Sequence, residues 1–152
     1  MTIVRFASLL FLIFPLVVAG GCGDGRGVRI PISGVVTVDG QPLQHGSVTF
    51  NPIKGAEQKE KQRAGGGSLN AEGKFQVSSF TANDGLMVGK YEVSVLALEP
   101  LGPNSQKWHA PQKYSNFKTS GLTYEITPET ESIEFKLTWE GEDPSEPYVE
   151  EL

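Results

Sequence analysis

The chain has 152 residues, with 13 basic and 18 acidic side chains and a formal net charge of −5. That length holds one domain once targeting and tail segments are set aside, and the charge balance excludes the basic face of a nucleic-acid binder. The 18 glycines and 10 prolines, set among short valine- and phenylalanine-rich runs, favour an all-β domain with many turns, and the single cysteine, Cys22, excludes an internal disulfide.

Residues 1–21 carry one charged side chain, Arg5, and the run from Phe6 to Val18 is almost wholly apolar. As a helix that run would rise about 20 Å, short of the ~30 Å hydrocarbon core of a bilayer, so it suits the apolar region of a signal peptide rather than a spanning helix. Ala19, Gly20 and Gly21 then lead directly to Cys22. This arrangement resembles the lipobox of bacterial lipoproteins, in which small residues precede a cysteine that is lipidated and becomes N-terminal after cleavage. It departs from the usual pattern at Ala19, where leucine is preferred. The resemblance implies a signal peptide over 1–21, a lipidated tether over 22–29, and membrane attachment through acyl chains on Cys22.

From Val28 onward the pattern is alternation. Val36 and Val38 share one face, Asp39-Gly40 is a turn dipeptide, Leu43 folds back on the core, and Val48 and Phe50 point inward until Pro52 stops the run. Ser33 to Pro52 therefore reads as a hairpin around which the other strands are laid. Residues 54–66 are polar and read as an exposed loop, and Gly65-Gly66-Gly67-Ser68 as a flexible turn. Ser68-Leu69 and Lys74 to Ser79 read as strands around a loop in which Gly73 takes the left-handed position. Phe80 to Leu86 is a loop turning at Asn83-Asp84-Gly85. Tyr91, Val93 and Val95 share a face of one of the clearest strands.

Pro100 to Ser120 is a long connection containing Trp108, His109, Tyr114 and Phe117. Leu122, Tyr124 and Ile126, then Ile133, Phe135 and Leu137, alternate on either side of a turn at 128–132 and read as a C-terminal hairpin. Residues 140–152 hold six acids, two prolines and no base, and read as a disordered acidic tail. About seven strands separated by turns predict an all-β fold, an antiparallel two-sheet β-sandwich over 30–139.

Four pieces in order carry a further likeness: Ser33-Gly-Val-Val-Thr-Val-Asp-Gly-Gln-Pro-Leu43, Gly46-Ser-Val-Thr-Phe50, Gly73-Lys-Phe-Gln-Val77 and Val88-Gly-Lys-Tyr-Glu-Val-Ser-Val95. Together they resemble the carboxypeptidase regulatory-like domain, over roughly Ile30 to Thr138. The likeness implies a transthyretin-like (prealbumin-like) sandwich and an accessory, stabilising or binding role, as in small bacterial lipoproteins of one such domain. Enzymes on that fold need residues absent here. The related 5-hydroxyisourate hydrolases end in Tyr-Arg-Gly-Ser where this chain reads Tyr148-Val149-Glu150-Glu151-Leu152, and intradiol dioxygenases need two histidines close in sequence, whereas His45 and His109 are far apart.

Candidate chemistry is sparse. His45, in the first hairpin, reads as a surface residue. His109 has no acid or second histidine near it in sequence, and a metal site built from both histidines and a carboxylate would need the fold to bring them together. The sequence by itself therefore assigns no catalytic residue, no metal and no cofactor. Trp108, His109, Tyr114 and Phe117 form an aromatic loop with two open readings. They cap the open end of the sandwich, or they make a binding loop for a sugar ring or an envelope protein. The reading for function is a non-enzymatic, lipid-anchored cell-envelope module, binding or scaffolding, with a carbohydrate-binding module using the Trp108 loop as the alternative. Nucleic acid is not among the expected partners.

Overall fold

The computed structural model describes residues 27–55, 62–139 and 149–151. The predicted signal peptide, Cys22, most of the tether and residues 140–148 of the tail lie outside them. The protein is an all-β sandwich. In chain order the strands are β1 (Ser33–Val38), β2 (Gln41–Pro42), β3 (Ser47–Pro52), β4 (Gly65–Ser68), β5 (Lys74–Gln76), β6 (Gly89–Leu96), β7 (Leu98–Gly102) and β8 (Ser105–Trp108). A 3-10 turn (Gln112–Ser115) and a short helix α1 (Phe117–Ser120) precede β9 (Leu122–Ile126), β10 (Ser132–Leu137) and β11 (Val149–Glu151). Among the described residues no helix is long and apolar enough to cross a membrane.

The sandwich is made by one sheet of order β10-β1-β2, with β5 also paired to β1, and a second of order β4-β3-β6-β9, and a third, smaller sheet has the order β11-β8-β7. Alternation explains the two sheets of the sandwich. In β1 and β10 every second residue is buried, giving Val36 and Val38 on one and Ile133, Phe135 and Leu137 on the other. Val48 and Phe50 of β3 and Tyr91, Val93 and Val95 of β6 face them from the second sheet. Phe50 is fully buried, with ring centroids 6.2 Å from Phe75, 6.3 Å from Tyr91 and 6.0 Å from Phe135. The Tyr91 hydroxyl donates to the Met87 carbonyl at 2.9 Å, and burial pushes its pKa up to about 12.

The expected hairpins re-pair. The Asp39-Gly40 turn has the positive φ angles expected of it, 48° and 82°, but it leads only to the two-residue β2. Leu43 then enters the core and the chain crosses, so that β3 lies in the other sheet between β4 and β6. Two strands of one hairpin turn their apolar faces to the same side, whereas β1 and β3 in opposite sheets bury theirs against each other. The C-terminal hairpin is split in the same way. β9 pairs antiparallel with β6, while β10 crosses over and pairs parallel with β1, from Ser33↔Ser132 to Val38↔Leu137. The sandwich is thus mostly but not wholly antiparallel.

Gly65-Gly66-Gly67 is not a turn but most of β4, paired with β3. A Cβ on Gly67 would stand 2.1 Å from the Gln76 carbonyl oxygen, and one on Gly66 would stand 2.5 Å from that of Val48. The run lacks side chains because neighbouring backbones approach it closely on both sides. Gly73 does take the left-handed position, at φ 72°, in a turn closed by Asn70, whose side chain accepts from the amides of Glu72 and Lys74. The Pro100–Ser120 connection is largely structured. Leu98–Gly102 and Ser105–Trp108 form a bulged hairpin, and Val149–Glu151, expected within a disordered tail, lie against β8 as an antiparallel strand. The 3-10 turn and α1 pack beside β6, where the buried Ser120 hydroxyl donates to the Val93 carbonyl at 2.6 Å.

The chain enters the sandwich through a clamp. Ile30 and Leu86 exchange backbone hydrogen bonds of 2.7 and 3.0 Å. Beside them the Asp84 carboxylate accepts from the amides of Ser79, Phe80 and Thr81 and from the Ser79 hydroxyl, and pairs with the Arg29 guanidinium at 3.0 Å. Burial pushes the Asp84 carboxyl up, but the three amides and the hydroxyl outweigh it and its pKa lies below the ordinary 3.8.

Two outcomes follow for stability. Gly67→Ala will lower the urea midpoint by an amount equal to about 1–3 kcal/mol, with an unchanged slope, because the added methyl must push β5 away. Asp84→Asn will cost about 2 kcal/mol near neutral pH. Because the folded pKa is depressed, the stability conferred by Asp84 is complete above about 3.8 and is lost as pH falls through the folded value. The gap between parent and variant, measured by denaturation at stepped pH, will therefore close only in strong acid.

Candidate functional site

Three chain segments meet beside the β6–β7 junction. The first is the link from β2 to β3, which carries His45. Its path depends on Gly46, at φ 122°, where a Cβ would stand 2.2 Å from the Leu96 carbonyl oxygen and 2.9 Å from the Cα of Ala97. Only a glycine lets this link lie flat against the end of β6, and that contact sets His45 beside the next hairpin.

The second and third segments are the two arms of the β7–β8 hairpin. Glu99 stands opposite Lys107 in the register, and Leu98 opposite Trp108. Side chains alternate across a strand, so Glu99, Lys107 and, one step beyond β8, His109 share a face, while Trp108 turns to the other. The His109 amide donates to the Ala97 carbonyl at 2.8 Å and extends the ladder, which fixes where its ring begins. Its Nε2 lies 2.7 Å from Oε2 of Glu99. The ring of His45 stacks on that of His109, with centroids 4.6 Å apart and planes 28° apart. His109 is largely shielded, with a side-chain exposure of 16%, Glu99 is at 38%, and His45 is exposed.

The electrostatics follow from this contact. The hydrogen bond with His109 holds the Glu99 carboxyl below its usual range, outweighing desolvation, and the nearby histidines and Lys107 act in the same direction as the bond. Two imidazoles and a carboxylate, each offering one donor atom within 4.8 Å of the others, can share a proton or a cation.

The aromatic loop resolves differently from the binding-loop reading. Trp108 is 5% exposed and Tyr114 6%, both turned inward. The Tyr114 hydroxyl lies 3.4 Å from the Thr138 carbonyl, and Lys113 covers its ring at 4.8 Å. Phe117 is half-buried at the start of α1. The Trp108 and Tyr114 rings are both buried, and Tyr114 packs in the core cluster of the sandwich. Of the four loop residues only His109 reaches the cluster. His45, expected at the surface, is there, but it is not isolated. Glu99 had no part in the expected site. The signal that could have found it is the run Gly102-Pro103-Asn104 between Leu98 and Trp108, a hairpin turn that pairs Glu99 with Lys107 and places residue 109 on the same face. No comparable signal ties His45 to it.

An open groove of about 820 Å³ lies elsewhere, between β1, β4 and β5. Its lining has one ionisable side chain, Lys74, among serines, glycines, Asn70 and Gln76. Volume and chemistry thus separate in this molecule, and the cluster of titratable groups is the stronger candidate because catalysis and ligand binding need converging donors.

Trp108→Ala will cost about 3 kcal/mol in urea denaturation, as removal of a buried ring does. A variant as stable as the parent would show the indole to be a surface group.

No family model, no curated protein and no solved structure matches this chain.

Proposed function

We propose that this protein is a non-enzymatic, lipid-anchored binding module of a bacterial cell envelope, a carboxypeptidase regulatory-like sandwich that engages an envelope protein through the pole farthest from its anchor. The observation that carries this reading is the polarity of β6. The chain enters at the Ile30–Leu86 bridge, just before β6 begins at Gly89, and the His45–Glu99–His109 cluster sits past its other end at Leu96. The eight residues of β6 span about 26 Å. The expected tether over 22–29 joins the sandwich at this near end, so a lipid on Cys22 would leave the cluster facing away from the bilayer.

The exposed apolar side chains support the same polarity. Val28, Val88 and Ile53, which are 79%, 48% and 38% exposed, flank the entry end, and Ile53 donates its amide to the Lys90 carbonyl there. Leu96 and Leu101, 44% and 50% exposed, lie at the far pole beside the cluster. Apolar groups at the entry end suit a membrane surface, and those at the far pole suit a protein partner.

In living cells, a Leu101→benzoylphenylalanine protein will cross-link on illumination to an envelope protein, and a Val28→benzoylphenylalanine protein to lipid. Cys22→Ser will move the protein from the membrane fraction to the soluble one. Protein cross-links from position 28 with none from 101 would overturn the assignment of the binding pole, glycan adducts alone would overturn the protein partner, and membrane retention of Cys22→Ser would overturn the anchor.

A further inference from the structure

We propose that His45, Glu99 and His109 bind a zinc-class divalent cation, with one coordination position left open toward solvent. The inference rests on the reading of this pole as the binding face, and it does not depend on the lipid anchor. The donor set is two imidazole nitrogens and one carboxylate oxygen, brought from the β2–β3 link, from β7 and from the residue after β8. Imidazole with carboxylate suits Zn²⁺, Cu²⁺ and Ni²⁺, whereas Mg²⁺ and Ca²⁺ take shells of oxygen. Three protein ligands leave a tetrahedral ion with a fourth position for an outside group.

The geometry is near closure. Donor atoms around a tetrahedral zinc stand about 3.4 Å apart. His109 and Glu99 already meet at 2.7 Å through a shared proton, and the three donors lie within 4.8 Å. An ion that replaces that proton separates the pair slightly and draws in His45, the exposed member, by a turn of its side chain. The His109 ring then carries its proton on Nδ1 while Nε2 and the charged carboxylate face the ion.

The stacked rings point the same way. Glu99 bonds His109, His45 stacks on that ring, and Lys107 shares the face, so a divalent ion here would place its charge among three converging donors. Lys107 is the cation that opposes the site, so its removal is expected to tighten binding. The Gly46 contact with Leu96 gives the ligands a rigid base, since the path of the link that carries His45 is fixed by backbone packing.

The test is calorimetric titration of the purified, metal-stripped full chain with ZnCl₂, alongside MgCl₂ and CaCl₂, and with CoCl₂ followed by visible absorption. The expected result is one Zn²⁺ per chain, no heat from Mg²⁺ or Ca²⁺, and cobalt bands of tetrahedral intensity. His45→Ala, Glu99→Gln and His109→Ala will each weaken Zn²⁺ by at least about tenfold and remove the cobalt bands, and Lys107→Ala will strengthen binding about two- to fivefold. His45→Ala alters an exposed side chain, so its far-UV dichroism and Tm will match the parent even if a variant at the half-buried His109 unfolds. Absence of zinc binding, or zinc binding unchanged by His45→Ala and Glu99→Gln, would overturn the proposal. Failure here with Leu101 cross-linking intact would leave the binding pole standing, and the converse would leave the metal site without a protein partner.

Discussion

Phe50 touches Phe75, Tyr91 and Phe135 at once, and through them both sheets. Phe75 and Phe135 come from the β1 sheet, Tyr91 from the β3 sheet, and all are 5% exposed or less. Burying an aromatic ring of this kind contributes about 2–3 kcal/mol relative to leaving it in water. The domain has no internal disulfide to help it, since the chain has a single cysteine. Everything else in the architecture follows from keeping two pleated surfaces close enough for these rings to interlock. The chain must step between sheets after β2 and again after β9, since only opposed strands can bury their faces against each other.

That constraint also explains where backbone replaces side chain. β4 must lie between β3 and the end of β5, so it is built of glycines, with the Val48 and Gln76 carbonyls where Cβ atoms would stand. The link before β3 must cross the end of β6 within van der Waals distance, so Gly46 occupies the crossing. The 3-10 turn and α1 pack beside β6, with the Ser120 hydroxyl on the Val93 carbonyl. β6 is paired along both edges with β3 and β9 and braced where the pairing with β9 ends.

The two ends of β6 differ in chemistry. At the entry end Asp84 gathers three amides, a hydroxyl and Arg29 around one carboxylate, an arrangement whose donors are all satisfied and whose role is to hold a loop against the incoming chain. At the far end Glu99 bonds His109, on whose ring His45 stacks, under partial solvent exposure. A carboxylate surrounded by backbone amides is held by the fold, whereas one bonded to a single side chain depends on how that side chain turns. The two carboxylates thus contrast on one scaffold, and the proposed binding pole is the end with the looser one.

By itself the sequence determined which side chains are buried and where the chain turns. Alternation at Val36 and Val38, Val48 and Phe50, Tyr91 to Val95, and Ile133 to Leu137 marks inward faces, because side-chain direction in a strand is a local property with a period of two. Asp39-Gly40 and Gly73 mark turns because positive φ is a local demand. Only the tertiary structure decided which strands are neighbours. Alternation is the same whether β10 pairs with β9 or, as it does, in parallel with β1. The glycine strand β4 left no trace of this kind, since a residue without a side chain has no face to alternate. The same limit hid the site. The link between Glu99 and His109 was legible in principle from the turn between them, but His45 reaches them only because Gly46 packs on the end of β6, and a contact across fifty residues of chain leaves no periodicity to read.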